Sequence, residues 1–505
     1  MTVAKGIFLG FTVGLCVLPA AARPPALEKE LLVSRFESYA EQSRQAWGTP
    51  GMAVVLVADG KVVWSKAFGV KEAGGQDPVD VSTLFQIGSA SKSFTSSLVA
   101  LQVDRGKLKW TDKVLDHYAD FRMFDPWVTR EFTIEDTMSQ RSGQPAYATD
   151  VLAFLGAGRA EILHALREVR PVTSFRSRFA YVNNLWLVAA QVIESSTGKS
   201  WEDSVASEIF QPLAMSQTNT GFNGLWKSAN HVTPHQGRKG SLEPLRENWL
   251  FGDWVYTYGP AGGINSNVLD MAKYVQMQMG VTPLIKAENR EVMHSPHILV
   301  GGSRQDKPKA LFEVGMGSYC LGWIRQELQP AALIWHNGGT SGCKTVVGFC
   351  PEAGMGIVVL SNLGNTELPE ALMYRYYDMY FGRPDYDYSG AFLQSHHASP
   401  PAPSAPKNPR PPAPLSEYVG KYQHPVYGIA SVRQVQGGLE IGLGKRMRLQ
   451  LSPWDGDNFS VADPMESNDA PGFVSFSSDA AGKFTRLRLS LCDDVLEGRF
   501  VRVAD

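Results

Sequence analysis

The sequence predicts an α+β domain followed by a small all-β domain. Three observations carry this. Two alternating runs near the start, Gly51–Val57 and Lys61–Gly69, read as strands turned by Asp59–Gly60. Four more strand candidates come late, Tyr319–Arg325, Ala331–His336, Lys344–Phe349 and Met355–Ser361, and the stretch between the two sets is mainly helical. Strands drawn from both ends of one domain describe an antiparallel sheet flanked by helices, with a helical insert. After residue 414 the pattern changes to short alternating runs broken by Gly, Asp and Asn, as in a small barrel or sandwich.

The elements follow in order. Leu27–Trp47 has the spacing of an amphipathic helix, ahead of the two first strands. An apolar run ends at Gly88, and a helix follows with Leu98, Val99, Leu101 and Val103 on one side and Gly106 as its stop. Trp110–Tyr118, Thr133–Gln140 and Glu161–Val169 are shorter helix candidates. A strong one, Asn184–Thr197, stops at Gly198, and Trp201–Leu213 comes next. Tyr256–Ser266 reads as a Gly-rich loop before a helix over Asn267–Met279. Thr366–Phe381 closes the domain. Residues 400–414 then hold eight of the 31 prolines, a composition that makes an extended linker. Tyr427–Arg433, Leu439–Leu443, Met447–Leu451, Phe473–Phe476 and Thr485–Leu491 are the strand candidates of the tail. The expected boundaries are 1–22, 23–390, 391–414 and 415–505.

With 505 residues, 44% hydrophobic and 19% charged, the chain is globular with two or three domains. With a net charge of −2, nothing in the sequence suggests a nucleic-acid surface, and no nucleic-acid partner is expected. Lys5, the apolar run Gly6–Leu18 and Ala20–Ala22 before Arg23 read as a signal peptide over residues 1–22. A periplasmic or secreted protein is therefore expected. No other long apolar run is present, so no integral membrane span is expected after signal removal. Four cysteines would remain, Cys320, Cys343, Cys350 and Cys492, too few and too scattered for a disulfide scaffold. They show no metal-ligand spacing.

The chemistry is placed at Phe85–Thr95. Ser89 stands at the mouth of the helix and Lys92 three residues on, on the same face. A serine hydroxyl needs a neighbouring base to act as a nucleophile, and a lysine can be that base when burial lowers its pKa. Ser-x-x-Lys occurs four times, starting at Ser89, Ser196, Ser341 and Ser404, but only Ser89 opens a helix after an apolar run. A serine there would serve equally as a helix cap.

Two further stretches can partner it. Tyr181-x-Asn183 precedes the strong helix, and a tyrosine near a lysine can be a phenolate or share its proton. The asparagine offers a substrate amide both a donor and an acceptor. His336–Asn337–Gly338–Gly339 lies between two strands, where glycines let a substrate run close to the strand edge. The histidine could act as donor, acid or partial cation. His235–Gln236–Gly237 has a similar spacing but no strand candidate around it.

Ser89–Ala90–Ser91–Lys92, Tyr181–Val182–Asn183 and His336–Asn337–Gly338, in that order, resemble the three active-site elements of the serine β-lactamase and penicillin-binding-protein superfamily, in its class C β-lactamase-related branch. Gln86–Ile87–Gly88, Phe210–Met215 and Pro260–Gly263 resemble the same branch. The tail, with Tyr418–Tyr422 and Arg499–Phe500, resembles the lipocalin-like domain appended to such hydrolases. The resemblance implies a β-lactamase/transpeptidase-like sheet and an acyl-enzyme on Ser89. Lys92 and Tyr181 would carry the proton, Asn183 would hold the substrate amide, and the N–H groups of Ser89 and Gly339 would form the oxyanion hole. His336 and Gly338 would complete the substrate strand. It implies a small-molecule or peptide substrate, cell-wall peptides included, and no cofactor or metal. One departure matters: His336 stands where most of the superfamily carries lysine, which favours an esterase or peptidase over a β-lactamase or D-alanyl-D-alanine carboxypeptidase. A non-catalytic penicillin or peptidoglycan sensor is the alternative outside enzymes. No acidic residue stands out as a deacylation base.

Overall fold

The structure is a computed structural model of the chain, and residues 29–300, 317–397, 403–465 and 471–504 are described. The expected signal peptide lies outside the described residues. Helix α1 (Lys29–Trp47) leads into strands β1 (Gly51–Ala58) and β2 (Lys61–Gly69). The helical middle includes α2 (Ser91–Asp104), α3 (Asp150–Phe154), α4 (Asn184–Thr197) and α5 (Val268–Gln278). Strands β3 (Ile298–Leu299), β4 (Gly317–Tyr319), β5 (Ile324–Gln326), β6 (Leu333–Gly339), β7 (Lys344–Cys350) and β8 (Met355–Ser361) follow. Helices α6 (Leu368–Tyr380) and α7 (Tyr388–His397) come last in this part of the chain.

The eight strands form one antiparallel sheet in the order β2-β1-β8-β7-β6-β5-β4-β3. Chain start and chain end therefore meet at β1 and β8, with Val54 opposite Val359. Successive strand residues point to opposite faces. Val54, Leu56, Val346, Ile357 and Val359 pack with Phe36 of α1 and Tyr376 of α6, whereas Ala53, Val55, Val347, Val358 and Leu360 join the core with α2 and α4. Both faces are covered, which is why all of β1 is buried.

Several boundaries differ from the sequence reading. Tyr319–Arg325 is two strands, because Gly322 turns the chain at φ +78° and Cys320 N–H donates to the Trp323 carbonyl. Tyr256–Ser266 is not a loop: Trp254–Thr257 makes a helical turn against α3, Gly259–Gly262 makes one against α2, and Ile264–Ser266 pairs with Phe85–Gln86. The boundary expected at 390 falls inside α7. All four cysteines are buried and free.

The tail closes into an eight-stranded antiparallel barrel, from Gly420–His424 to Arg499–Val503. Buried Tyr422, Ile441, Leu449, Phe476, Leu487 and Phe500 fill it. The barrel docks beside α3: Arg446 donates to Asp253 and to the carbonyls of Ala153 and Leu250, and Lys445 N–H donates to the Leu155 carbonyl. Gly444, at φ +60°, allows this approach, since a Cβ there would stand 2.6 Å from Leu155 Cβ. Among the described residues no helix is long and apolar enough to cross a membrane.

The segment before the second partner motif is held by a buried charge. Asp136 accepts from Arg141, Arg176 and Thr133, and these contacts keep its carboxyl below the usual range against the cost of burial. Asp136→Ala strands two guanidiniums and is expected to cost about 3 kcal/mol in denaturant unfolding. Because its pKa is depressed in the fold, this contribution is present at neutral pH and is lost as pH falls below the ordinary carboxylate value of 3.8.

Candidate active site

The strand Phe85–Gln86 ends at Ile87, and Gly88 turns the chain at φ +50° into a single 3₁₀ turn, Gly88–Ala90, that runs on into α2. The helix expected from Ser89 thus starts as this tighter turn. The end of β6 lies directly on it. A Cβ at Gly338 would meet the Ile87 carbonyl oxygen at 1.8 Å and the Ser89 nitrogen at 3.0 Å, and one at Gly88 would meet the Gly339 nitrogen at 2.7 Å. Only glycine permits two backbones this close. Around Gly339 the space is open, so the amides of Ser89 and Gly339 border the same cleft.

Lys92 lies one helical turn into α2 and is fully buried. Its Nζ stands 3.1 Å from Ser89 Oγ, 2.7 Å from Asn183 Oδ1 and 3.0 Å from the Ala261 carbonyl oxygen. The last two atoms only accept. They engage two N–H bonds, and a neutral amine then has its lone pair left for the serine hydroxyl. Burial pushes the Lys92 pKa down to about 7, with the Asp150 charge working the other way.

Tyr181 and Asn183 reach the cleft on a segment clamped by Gln140, whose side chain accepts from Val182 N–H and donates to the Val182 carbonyl. Tyr147 N–H donates to the Tyr181 carbonyl. The Tyr181 side chain lines the cleft with Ser89, and the Lys92 amine lies 4.7 Å from the centre of its ring. Burial holds the Tyr181 pKa well above 10, so it rests as a phenol, not as the phenolate considered from sequence.

His336 is buried. The Asn337 carbonyl only accepts, so the Nδ1 beside it carries the proton, and Nε2 accepts from the Tyr319 hydroxyl at 3.1 Å. Burial and the nearby Lys92 push its pKa down to about 3. The histidine is therefore a neutral brace, and the partial cation allowed by the sequence is excluded. His235 lies in a short hairpin strand that the sequence did not signal, and its ring binds Ala73 N–H and the Asn362 carbonyl, away from Ser89.

A cleft of about 1030 Å³ joins these groups. Trp254 and Tyr258 line it, whereas Tyr256 turns to Gln86 and Asn265. Asp150, which the sequence reading did not single out, lines it too. Asn183 Nδ2 donates to Asp150 Oδ2 at 2.6 Å, and burial pushes the Asp150 pKa up to about 7. The barrel supplies part of the wall through Asp463, Met465, Ser490 and Leu491. Neither was visible beforehand, because an acid at a helix start and a distant loop have no local signature of a cleft.

Residues 36–378 match the β-lactamase family. The chain belongs to that family. It is a serine hydrolase of the β-lactamase fold, and residues 404–500 match a domain of unknown function, DUF3471. The Unguisins hydrolase of Aspergillus campestris is 26% identical over 433 residues, covering 78% of this chain and 76% of that protein. Protein flp of Staphylococcus aureus is 21% identical over 341 residues, covering 66% and 64%. Among solved structures, the octameric penicillin-binding protein homologue from Pyrococcus abyssi superposes with a TM-score of 0.62 at 20% identity, covering 93% of this chain and all of that one. The D-stereospecific amidohydrolase from Streptomyces sp. superposes with a TM-score of 0.53 at 18% identity, covering 67% and 97%. For this β-lactamase-family hydrolase, Gly338→Ala is expected to prise β6 off the Ser89 turn. Turnover of an activated aryl ester should fall at least about 100-fold, the scale of a 1 Å misplacement.

Proposed function

We propose that this hydrolase works through an acyl-enzyme on Ser89 and cleaves esters or amides of small-molecule or peptide substrates. The observation that carries this is the buried, acceptor-saturated Lys92 amine 3.1 Å from Ser89 Oγ. Neutral Lys92 takes the hydroxyl proton as Oγ attacks the carbonyl carbon. The oxyanion lies between the N–H groups of Ser89 and Gly339. As the carbonyl–heteroatom bond breaks, the Tyr181 phenol gives its proton to the leaving group and takes back the proton that Lys92 removed from Ser89. Water then attacks the ester carbon with the same groups acting in reverse, and Ser89 is released. Asn183 keeps one N–H for a substrate carbonyl.

Neutral His336 supports an esterase or peptidase over a β-lactamase or D-alanyl-D-alanine carboxypeptidase, because it offers no fixed cation to a substrate carboxylate. The nearby Lys344 is already paired with Glu370 at 3.0 Å. The named activity of the Aspergillus campestris relative also favours hydrolysis. We further propose that the chain is exported by its N-terminal segment to the periplasm or beyond, where cell-wall peptides would be available, and that the barrel is lipocalin-like.

A panel of short-chain aryl esters, D-amino-acid amides and nitrocefin tests the substrate ranking. Esters or amides should be turned over faster than nitrocefin, and a protein that cleaves nitrocefin alone reverses it. A fluorescent penicillin held on Ser89 indefinitely, with no turnover of any substrate, would instead support the sensor. Ser89→Ala should abolish both turnover and the mass shift left by a fluorophosphonate. The pH profile has a definite sign: protonated Lys92 cannot accept a proton, so activity rises with pH through about 7. A flat kcat/KM from pH 5 to 9 would rule out the lysine base.

A further inference from the structure

The chemistry at Ser89 assigns no task to Asp150 or to the barrel, yet a run of hydrogen bonds joins both to Lys92. Asn183 lies between Lys92 and Asp150, giving Oδ1 to the amine at 2.7 Å and Nδ2 to the carboxylate at 2.6 Å. With Nδ2 donating to Asp150, the Oδ1 end of the Asn183 amide faces Lys92. A flipped amide would lose both bonds. The other oxygen of Asp150, Oδ1, is buried without a hydrogen-bond partner, so Asn183 is the contact that holds this carboxylate in place.

Asp150 is itself set by the residue before it. Thr149 is in the left-handed region at φ +73°, a conformation that a branched side chain disfavours and that neighbouring contacts must maintain. Its N–H donates to Asp494 Oδ2 of the barrel at 3.1 Å. Asp494 is held in turn by the Tyr427 hydroxyl on its other oxygen. Barrel loops also wall the same cleft, and Arg446 and Lys445 anchor the barrel at the far end of α3. Residues 494, 149, 150, 183 and 92 therefore form one contiguous path.

We propose that the barrel completes the active site, and that Asp494 is a positioning residue that holds the Thr149 turn and, through Asp150 and Asn183, the Lys92 amine. This deepens the acyl-enzyme reading and rests on it for its effect on turnover. Charge runs along the same path. An ionised Asp494 disfavours ionisation of Asp150, and an ionised Asp150 favours protonation of Lys92. The other titratable groups facing the two carboxylates are Tyr181, Tyr258, Tyr427 and Cys492, and burial keeps all four neutral across the working range.

The test uses the full chain with three variants. Asp494→Ala removes the acceptor for Thr149 N–H, and kcat for an aryl ester should fall about 10-fold with a smaller change in KM. Asp494→Asn keeps an acceptor but removes the charge. Asp150 then ionises more readily, and the Lys92 titration should move up by about half a pH unit. Asp150→Asn removes the charge next to Lys92, and the titration should move down by a similar amount. The opposite signs separate positioning and charge from mere loosening of the fold. Lys445→Ala, which keeps the backbone N–H that anchors the barrel on Leu155 and cuts only the exposed ion pair with Glu161, is the control and should match the parent protein.

Carbon-13 NMR of labelled lysine follows the Lys92 titration directly, whatever Ser89 reacts with. Fluorophosphonate labelling of the parent protein tests the acyl-enzyme reading separately. A folded Asp494→Ala protein with parental kcat would overturn the proposal. Should that variant fail to fold, Asp494→Asn decides it: an unmoved Lys92 titration overturns it and an upward shift supports it.

Discussion

Placing an amine in a dry interior is costly, and the architecture around Ser89 follows from meeting that cost without an ion pair in contact. Lys92 touches two acceptors and a hydroxyl, and no carboxylate oxygen is among its hydrogen-bond partners. The nearest acid acts through an intervening amide. A direct salt bridge would have favoured the ammonium form and raised the Lys92 pKa. Asn183 therefore does two things at once: it satisfies the amine and keeps the negative charge one residue away.

The second constraint is contact between two backbones. The Ser89 turn and the end of β6 can approach this closely only if no side chain separates them, and Gly88 and Gly338 meet that condition from opposite sides. The sheet makes the contact reproducible. Its order sets the first two strands at one edge beside the last, so β6 is held in register through β7 and β8 to β1. The domain's two ends thus cooperate in one active-site distance.

His336 gives this side of the cleft a neutral, buried ring. The ring lies between Tyr319 and the backbone of its own strand and is kept neutral by burial. Aromatic side chains, Asn183 and barrel residues make up much of the remaining cleft lining. A barrel filled by its own side chains contributes through its loops and not through an internal cup.

Much was legible in the chain alone. Period-two runs marked most of the sheet, the break in composition after residue 400 separated the barrel, and helix onset marked Ser89 and Lys92, because each is a local signal a few residues long. Tyr181 and His336 were legible as motifs, but their states were not. Protonation depends on how much water surrounds a group, and burial is a property of the whole fold. For the same reason the sequence was silent on Asp150, Asp494 and the Gln140 clamp, whose partners lie tens or hundreds of residues away. The order of chemical groups along the chain was thus written in the sequence. Tertiary packing alone decided which of them lost water, which kept a proton, and that the barrel would share a cleft wall with Ser89.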